Sequence, residues 1–285
     1  MPWGQLYELV KPCYYEGARG NKPYDLELML RIHLIQNLYD LSDEGTRNEI
    51  IDSRAFSDFC EVESSNQFPD GDTIGRFRNL LIKNHIHEQF FAVVVKTLTD
   101  RGLHYYFCAF FYQKQGKKRD HDAHSVKKGN AWYFGYKAHV GVDKDSGLVH
   151  TVEVTAANEH DVTMTAKLLH GEEETVNGDS GYIGAEKRED AILKNKNGKK
   201  IRYNINRRPS QYKKNSPRSK AQTKRREHEK SSVRAKVEHV FAVVKGQLGY
   251  RRTRYRGLVK QTVKLNMMFA LANLILAGRP SRAAI

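Results

Sequence analysis

The hydrophobic period of the chain changes between its first third and the remainder, and no other feature constrains the fold as strongly. Apolar side chains recur at helical spacing in stretches such as residues 24–38. Over residues 132–142 the period is two, and it is two again over 148–155, after a polar turn at 143–147. Two alternating runs around a short turn predict a β-hairpin. The pattern predicts the α+β class, with helices first and a mixed α/β region after them.

Residues 1–100 are predicted to form a helical domain and residues 101–285 a second domain. Helices are expected in the first over residues 24–38, 42–51, 74–82 and 85–98. Ser42 is a good N-cap for the second of these, and Asp72 with Thr73 for the third. A small helical bundle ahead of a basic region is typical of a module that reads DNA.

The second domain is expected to continue beyond the hairpin with helices and one short strand. A helix is predicted over residues 162–169, with Asp161 as its N-cap. Residues 174–182 predict a short strand that ends on Asp179 among glycines, and residues 184–194 predict another helix. Residues 261–276 predict an amphipathic helix that packs in the core.

The charge balance indicates a polyanionic partner. The 285 residues include 48 Lys and Arg against 33 Asp and Glu, a formal net charge of +15. Side chains that neutralise phosphates release counterions, so this excess favours nucleic acid. Three cysteines without a C-x-x-C pair argue against a disulfide framework or a zinc site and favour a reducing compartment. Because no signal pattern or bilayer-length apolar run is present, we expect a cytoplasmic protein with no membrane partner.

Basic residues concentrate in residues 194–236, which hold seventeen Lys and Arg against only Glu227 and Glu229. Such a run is usually solvated surface. Beside phosphate chemistry it favours a DNA-gripping loop, and we treat residues 194–233 as a basic insertion. A second cluster occupies residues 251–256. The predicted DNA contacts in the two clusters are Arg207, Arg208, Lys213, Lys214, Arg225, Arg226, Arg251, Arg252 and Arg254.

One acid stands between two bases on a predicted helix. In R-A-K-V-E-H-V-F-A-V-V-K, Glu238 follows Arg234 by four residues and precedes Lys245 by seven. These spacings bring the three side chains to nearly one helical face. A carboxylate between cations suits a metal-bound acid beside a phosphate backbone, so Arg234 and Lys245 are also predicted to bind DNA. The alternative is an ordinary charged face with intrahelical ion pairs.

Asp179 and Glu238 are the candidate catalytic acids and the candidate ligands of Mg²⁺. Carboxylates from different elements hold hard divalent cations, and a pair of such ions supports in-line phosphoryl displacement. For Asp179 the alternative is turn chemistry, because G-D-S-G is also a good turn. His160 with Asp161 is a weaker catalytic candidate, since Asp161 also suits a helix cap.

Six sequence blocks occur in an order that covers nearly the whole chain. They are Y-D-L-E-L-M-L-R-I-H-L-I-Q-N-L-Y-D-L-S-D, F-P-D-G-D-T-I-G-R-F-R, K-K-G-N-A-W-Y-F-G-Y-K-A-H-V-G-V-D, N-E-H-D, G-D-S-G-Y and R-A-K-V-E-H-V-F-A-V-V-K. Together they resemble bacterial insertion-sequence transposases of the DDE type, in the insertion-sequence-five group of the insertion-sequence-four-like superfamily.

The resemblance implies an RNase H-like catalytic domain, a two-metal Mg²⁺ site, and cutting and joining of double-stranded DNA at terminal inverted repeats. It also implies a homodimer on DNA and a nucleoid-associated location in a bacterium. It places Asp179 at the second acid of the triad and Glu238 at the third. Arg234 and Lys245 fall on the basic positions around that acid, whereas Ser231 stands where the family has Tyr.

The first acid of that family pattern is missing. The family has a strand ending in G-T-I-V-D-S-T and then I-I-S-A-P-S-S-T-K-N-K, whereas residues 104–116 read H-Y-Y-F-C-A-F-F-Y-Q-K-Q-G. A back-translation of residues 105–116 that skips one nucleotide yields the family's loop. We hypothesise a frame shift here that also deleted the strand with the first Asp. The aromatic run can still form a strand by propensity.

Loss of one carboxylate is expected to weaken metal binding and misplace the nucleophile. Asp100, Asp120 and Asp122 are the nearest acids, and of these Asp120 or Asp122 could substitute. His121 with His124 lacks a third ligand at metal spacing. The sequence therefore predicts a DDE transposase with impaired strand cleavage. One alternative is a catalytically dead DNA-binding protein derived from a transposase. Another is an RNA-binding protein, for which no motif is present and which leaves the two acids unexplained.

Overall fold

The N-terminal part of the chain is helical, as its period predicts. A computed structural model describes residues 3–14, 22–63, 68–99, 105–114, 120–213 and 216–278, and for 99, 105–114, 128 and 233–236 it describes the backbone. The helices are α1 (Trp3–Val10), α2 (Leu26–Leu38), α3 (Asp43–Asp52), α4 (Arg54–Cys60), α5 (Gly71–Lys83) and α6 (Ile86–Thr99). The four predicted helices correspond to α2, α3, α5 and α6.

Local sequence sets the start of two of these helices. Ser42 is the N-cap of α3, as predicted, and accepts a hydrogen bond from the Gly45 N–H at 3.0 Å. The N-cap of α5 is Asp70, which accepts from the Thr73 N–H at 2.7 Å, so α5 begins before the predicted Asp72 cap. The pattern does not predict α1 and α4, because eight and seven residues are too few to show a period.

A seven-stranded sheet follows in the described chain. Its strands are β1 (Tyr105–Lys114), β2 (His124–Lys128), β3 (Ala131–Asp143), β4 (Val149–Ala156), β5 (Thr175–Gly178), β6 (Arg202–Ile205) and β7 (Arg252–Thr253). The predicted hairpin is β3 with β4, and the predicted short strand is β5. The aromatic run forms β1, as its propensity predicts.

Strand β1 is central in the sheet. The main strand order is β4, β3, β1, β5, β6. β3 is antiparallel to both β4 and β1, whereas β1, β5 and β6 are parallel to one another. β2 pairs with the first residues of β3, and β7 pairs with the last residues of β1. The carboxyl ends of β1, β4, β5 and β6 therefore lie at one end of the sheet.

Helices α7 (Thr165–Leu168), α8 (Pro217–Ala242) and α9 (Leu258–Ala277) complete the described structure. α8 packs against β1 and β5, and α9 packs against β3, β4 and α8. α8 continues directly into the π-helix Val243–Gln247. α9 is the predicted core helix, and it is buried along most of its length.

The helical part shares its hydrophobic core with the sheet. α2 and α6 both pack against α9. One cluster of buried side chains includes Met29 of α2, Phe90 of α6, Val140 of β3 and Met268 of α9. The core is therefore continuous across the predicted domain boundary at residue 100.

Two predictions for the second domain are wrong. The basic segment 194–236 is not a loop, because it contains β6 and most of α8. Pro217 in the first turn and many Lys, Arg, Ala and Gln residues favour a helix there despite the charge. The predicted helix over 184–194 is replaced by the 3₁₀ turn Ala185–Lys187. Within the described residues, no helix has both the length and the apolar character that a membrane span requires.

Candidate active site

Asp179 lies at the carboxyl end of the middle parallel strand. β5 pairs with β1 on one side and with β6 on the other, and Asp179 is the next residue after β5. Its carboxylate accepts a hydrogen bond from the Gly181 N–H at 2.8 Å and caps the 3₁₀ turn Ser180–Tyr182. Asp179 therefore does have the role in a turn that its sequence context also predicted. The second carboxylate oxygen has no hydrogen-bond partner within the described chain, so it can accept a ligand.

Asn206 joins the end of β5 to helix α8. Its backbone N–H donates to the Gly178 carbonyl at 3.0 Å. Its side-chain amide donates to the Glu227 carboxylate at 3.0 Å and to the Ser231 hydroxyl at 3.3 Å. Glu238 follows Ser231 by seven residues, which places both on one helical face about 10 Å apart along the axis. The helix that carries Glu238 is thus fixed beside the residue that precedes Asp179.

Helix α8 has a buried side and an exposed side. Its buried residues include Val237, Val240 and Phe241. Glu238 is exposed. Lys245 lies in the π-helix, whose wider turn breaks the α-helical spacing, so the predicted alignment with Arg234 and Glu238 applies only as far as Ala242. The side chain of Arg234 lies outside the described residues.

The predicted DNA contacts are mostly exposed. This holds for Arg207, Arg208, Lys213, Arg225, Arg226, Arg251, Arg252 and Arg254. Lys214 lies outside the described residues. Two of the exposed arginines have acidic partners: Arg225 lies 3.4 Å from Glu229, and Arg254 lies 3.1 Å from Asp40.

Glu227 is a structural acid within the basic segment. It is buried, and burial raises its pKa, but hydrogen bonds from the Arg207 N–H and from Lys230 outweigh this and lower the pKa overall. The Arg207 N–H donates at 2.8 Å and the Lys230 ammonium at 3.1 Å. Glu227 therefore ties the chain at Arg207 to α8.

Asp161 does not cap a helix, and that prediction is wrong. The residue in the cap position is His160, which makes no capping hydrogen bond through its side chain. The Asp161 carboxylate instead accepts a hydrogen bond from the Lys137 ammonium at 2.8 Å. Lys137 also donates to the Glu159 carbonyl at 2.6 Å. The Asp161 carboxylate is therefore the counter-charge of the buried Lys137 ammonium, and a buried ammonium without such a partner is strongly destabilising.

Lys137 and His139 were not predicted to belong to the site. They alternate along β3 with fully buried apolar residues and face the side of the sheet where Asp161 lies. Burial lowers the pKa of His139 to about 4, although the Asp161 charge opposes this, so the imidazole is neutral. The sequence did contain a signal for them: two basic side chains in alternate positions of a strand that is otherwise apolar.

Two acids that follow residues 104–116 have structural roles, whereas Asp100, which precedes them, lies outside the described residues. Asp120 accepts a hydrogen bond from the Gly257 N–H at 3.2 Å, and Asp122 accepts from the Leu258 N–H at 2.8 Å. Both carboxylates therefore satisfy N–H groups at the start of α9. No group of three or more His, Cys, Asp or Glu side chains in the described part of the chain is arranged to hold a metal ion.

The register of the sheet identifies the β1 position level with Asp179. Tyr106 pairs with Asn177 across the parallel strands β1 and β5. When this register is extended by two residues, past the end of β5 at Gly178, Cys108 is level with Asp179. β1 contains no Asp or Glu at this or any other position.

Comparison with models of known protein families gives two matches that together cover most of the chain. The family described as Transposase DDE domain matches residues 94–274, and the Transposase domain (DUF772) family matches residues 1–80. The chain belongs to the DDE transposase family. Members of this family typically use a divalent metal ion and act on DNA. No solved structure matches the chain.

Proposed function

We propose that the protein is the transposase of an insertion sequence of the insertion-sequence-five group. It binds the terminal inverted repeats of its element, and its chemistry is Mg²⁺-dependent cleavage and transfer of DNA strands. The observation that carries this proposal is the position of Asp179. It directly follows the middle parallel strand, and the helix with Glu238 is fixed beside that strand through Asn206.

The order of the strands supports an RNase H-like catalytic domain. In β4, β3 and β1 the chain forms an antiparallel sheet, and β5 and β6 extend it in parallel to β1. Helices α8 and α9 cover the sheet after the last strand of this order. A catalytic acid in such a sheet belongs at the carboxyl end of a parallel strand, and Asp179 occupies that position.

The donor set suits a divalent ion of the Mg²⁺ type. Asp179 has a carboxylate oxygen that no described residue occupies, and Glu238 offers a carboxylate from the exposed side of α8. Mg²⁺ prefers oxygen ligands, retains several waters and commonly needs only one or two protein carboxylates together with substrate phosphates. When bound, the metal would polarise a DNA phosphate and activate the attacking hydroxyl.

The basic surface supports double-stranded DNA as the partner. Exposed arginines occur on α8, on the segment that leads to it and around β7. Their charges give affinity for the phosphate backbone without reading sequence. Joining the two ends of an element requires two copies of the site, so we propose a homodimer on DNA, in the nucleoid of a bacterium.

Cleavage by this chain is proposed to be weak. Among the strands that meet at the site, β1 carries no acid, and the residue level with Asp179 is Cys108. Asp120 and Asp122 do not replace the missing acid, since both hold the start of α9. This favours one second candidate function, a DNA-binding protein that occupies element ends without cutting them.

The test uses duplex DNA that carries the inverted repeats flanking the gene. We expect the purified protein to bind this duplex more tightly than an unrelated duplex or a structured RNA. With Mg²⁺ or Mn²⁺ we expect little nicking. Equal binding to all three nucleic acids would overturn the transposase assignment. Strong nicking that is lost in Asp179→Asn would overturn the proposed impairment and retain the assignment.

A further inference from the structure

Two carboxylates meet at Gly181, those of Asp161 and Asp179, and only Asp179 was assigned above to the catalytic triad. A Cβ atom placed on Gly181 would lie 2.6 Å from Asp161 Oδ2 and 2.9 Å from Asp179 Oδ1. The two oxygens are therefore at most about 5.5 Å apart, the sum of these distances. Any side chain at this position would occupy the space between the acids. Gly181 thus leaves a small cradle lined by two carboxylates.

Asp161 is held in this position by β3. Its Oδ1 atom accepts from the buried ammonium of Lys137 at 2.8 Å, which leaves Oδ2 directed toward Gly181. Lys137 offsets one of the two negative charges at the cradle. Asp161, Asp179 and Lys137 together still carry one net negative charge, so the cradle attracts a cation.

His139 provides an independent indication of a ligand. Its side chain is fully buried, and Nε2 lies 3.0 Å from the Thr155 hydroxyl. That hydroxyl donates to the Ala156 carbonyl, so it accepts from Nε2–H. Nδ1 then carries a lone pair, has no hydrogen-bond partner within the described residues, and lies 3.8 Å from Asp161 Oδ1. Because Asp161 Oδ1 already accepts from Lys137, the buried acceptor that remains without a partner beside this carboxylate is His139 Nδ1.

We propose that Asp161 is a metal-binding carboxylate that shares a divalent cation with Asp179. Lys137 and His139 act as positioning residues that hold Asp161 at the cradle. This inference rests on the proposed function, and it names a ligand outside the pair Asp179 and Glu238. It also gives the site a second nearby carboxylate at the sheet end where β1 provides none.

The dimensions of the cradle permit this role. Mg²⁺–oxygen bonds are about 2.0–2.1 Å long in octahedral geometry, so two oxygens on one ion are separated by about 3–4 Å. The upper limit on the separation of Asp161 Oδ2 and Asp179 Oδ1 includes this range, and Asp179 Oδ1 also accepts from the Gly181 N–H. Water and a DNA phosphate would complete the coordination of an ion with two protein ligands.

The experiment measures Mn²⁺ binding to the full-length protein without DNA, by titration calorimetry and by the electron paramagnetic resonance signal of free Mn²⁺. Asp161→Asn removes the proposed ligand. Gly181→Ala keeps every charge but inserts a methyl group between the two carboxylates. The matched control is Gly4→Ala on α1, where an added Cβ has nothing within 4 Å. Thermal unfolding of each variant verifies that it is folded.

We expect Asp161→Asn and Gly181→Ala each to weaken Mn²⁺ binding about tenfold or more, and Gly4→Ala to leave it unchanged. Asp179→Asn separates this inference from the proposed function. If Asp179→Asn weakens binding but Asp161→Asn and Gly181→Ala do not, the role of Asp161 is overturned and the metal site at Asp179 stands. If the wild-type protein binds no Mn²⁺, or if Asp179→Asn has no effect, both are overturned. Should Asp161→Asn fail to fold, Gly181→Ala decides the result.

Discussion

The Lys264 ammonium lies 3.1 Å from an Asp40 carboxylate oxygen, and this buried ion pair joins α9 to the residue pair that follows α2. The other Asp40 oxygen lies 3.1 Å from Arg254, and Asn37 accepts a hydrogen bond from Lys264 at 3.2 Å. Burial lowers the pKa of Lys264 to about 8, although the Asp40 charge opposes this. A charged contact of this kind fixes the helical part against the sheet.

Asp40→Asn is expected to destabilise the protein strongly. The substitution leaves the Lys264 ammonium buried without its main counter-charge, and breaking such a pair lowers the free energy of unfolding by about 3–5 kcal/mol. Urea unfolding at pH 7 measures the effect. The double variant Asp40→Asn with Lys264→Met should recover much of the loss, because replacing both charges of a buried pair is often close to neutral.

A surface ion pair provides the control for this prediction. Arg54 and Asp58 lie 3.8 Å apart and are both highly exposed. Asp58→Asn should therefore change the urea midpoint very little, since solvent screens exposed pairs. Equal midpoints for Asp40→Asn and Asp58→Asn would contradict a structural role for the buried pair.

The stability of the protein should fall as the pH falls below 6.5. His33 and His87 lie with their Nε2 atoms 2.9 Å apart in the core. Burial, followed by the charges of Lys264 and Arg78, lowers the pKa of His87 to about 3. Burial, followed by the charge of His87, lowers the pKa of His33 well below its ordinary value. The His87 imidazole is therefore neutral in the folded protein at pH 5 and charged in the unfolded chain.

Between pH 6.5 and pH 3 the unfolded chain binds a proton at His87 that the folded chain does not. The contribution of His87 is complete above pH 6.5 and is lost as the pH falls, by about 2 kcal/mol between pH 7 and pH 5. Urea unfolding at several pH values in wild type and His87→Leu measures this. The variant should lose less stability on acidification, because it lacks the contribution of His87. Some loss should remain, because other buried histidines such as His33 also have lowered pKa values. If the free energy of unfolding changed equally with pH in both proteins, His87 would already be charged in the folded state.

The sequence predicts elements that local patterns determine. α2 follows from its apolar period, α3 from the Ser42 cap, and β3 with β4 from two alternating runs around a polar turn. It also predicts β1 from aromatic propensity alone. These elements can be predicted because neighbouring residues all favour the same local conformation.

The sequence does not predict the features that depend on contacts between residues far apart in the chain. The basic segment resembles a solvated loop, yet Asn206 and Glu227 hold it against α8 through hydrogen bonds across about twenty residues. Asp161 resembles a helix cap, but the buried ammonium of Lys137, 24 residues earlier, binds its carboxylate. A local sequence pattern does not show that a buried lysine will be paired with a distant carboxylate. For that reason the position of Asp179 at the end of a strand could be predicted from the sequence, whereas the contact of Asp161 with Lys137 could not.

Asp122→Ala is expected to destabilise α9 without affecting metal binding. The Asp122 carboxylate accepts from the Leu258 N–H at 2.8 Å, at the positive end of the helix dipole. Loss of a side-chain acceptor at a helix start lowers the free energy of unfolding by about 1 kcal/mol. Urea unfolding and Mn²⁺ titration measure the two quantities. Weaker Mn²⁺ binding in this variant would instead assign Asp122 to the metal site, in place of the missing first acid.

Arg208→Gln and Arg226→Gln should each weaken DNA binding by a similar factor on every sequence. Both side chains are exposed in the basic segment, where they can contact phosphates. Loss of one phosphate contact lowers the slope of log affinity against log salt by about 1. Fluorescence anisotropy with inverted-repeat and unrelated duplexes at several salt concentrations measures it. Arg188→Gln is the control, because that guanidinium already lies 2.8 Å from Asp190. A loss confined to the inverted-repeat duplex would indicate base readout in place of phosphate contact.

Cys108→Asp is expected to increase metal-dependent nicking of element-end DNA. Tyr106 pairs with Asn177, so an acid at position 108 lies level with Asp179 and supplies the carboxylate that β1 lacks. A third carboxylate at the site strengthens metal binding and positions the attacking group, and rate depends steeply on that position. Nicking assays with Mg²⁺ measure the gain against wild type and against Cys108→Ser, which introduces no charge. The gain should disappear when Asp179→Asn is added, because the new acid acts only together with Asp179. Unchanged nicking in folded Cys108→Asp would mean that the missing acid is not what limits cleavage.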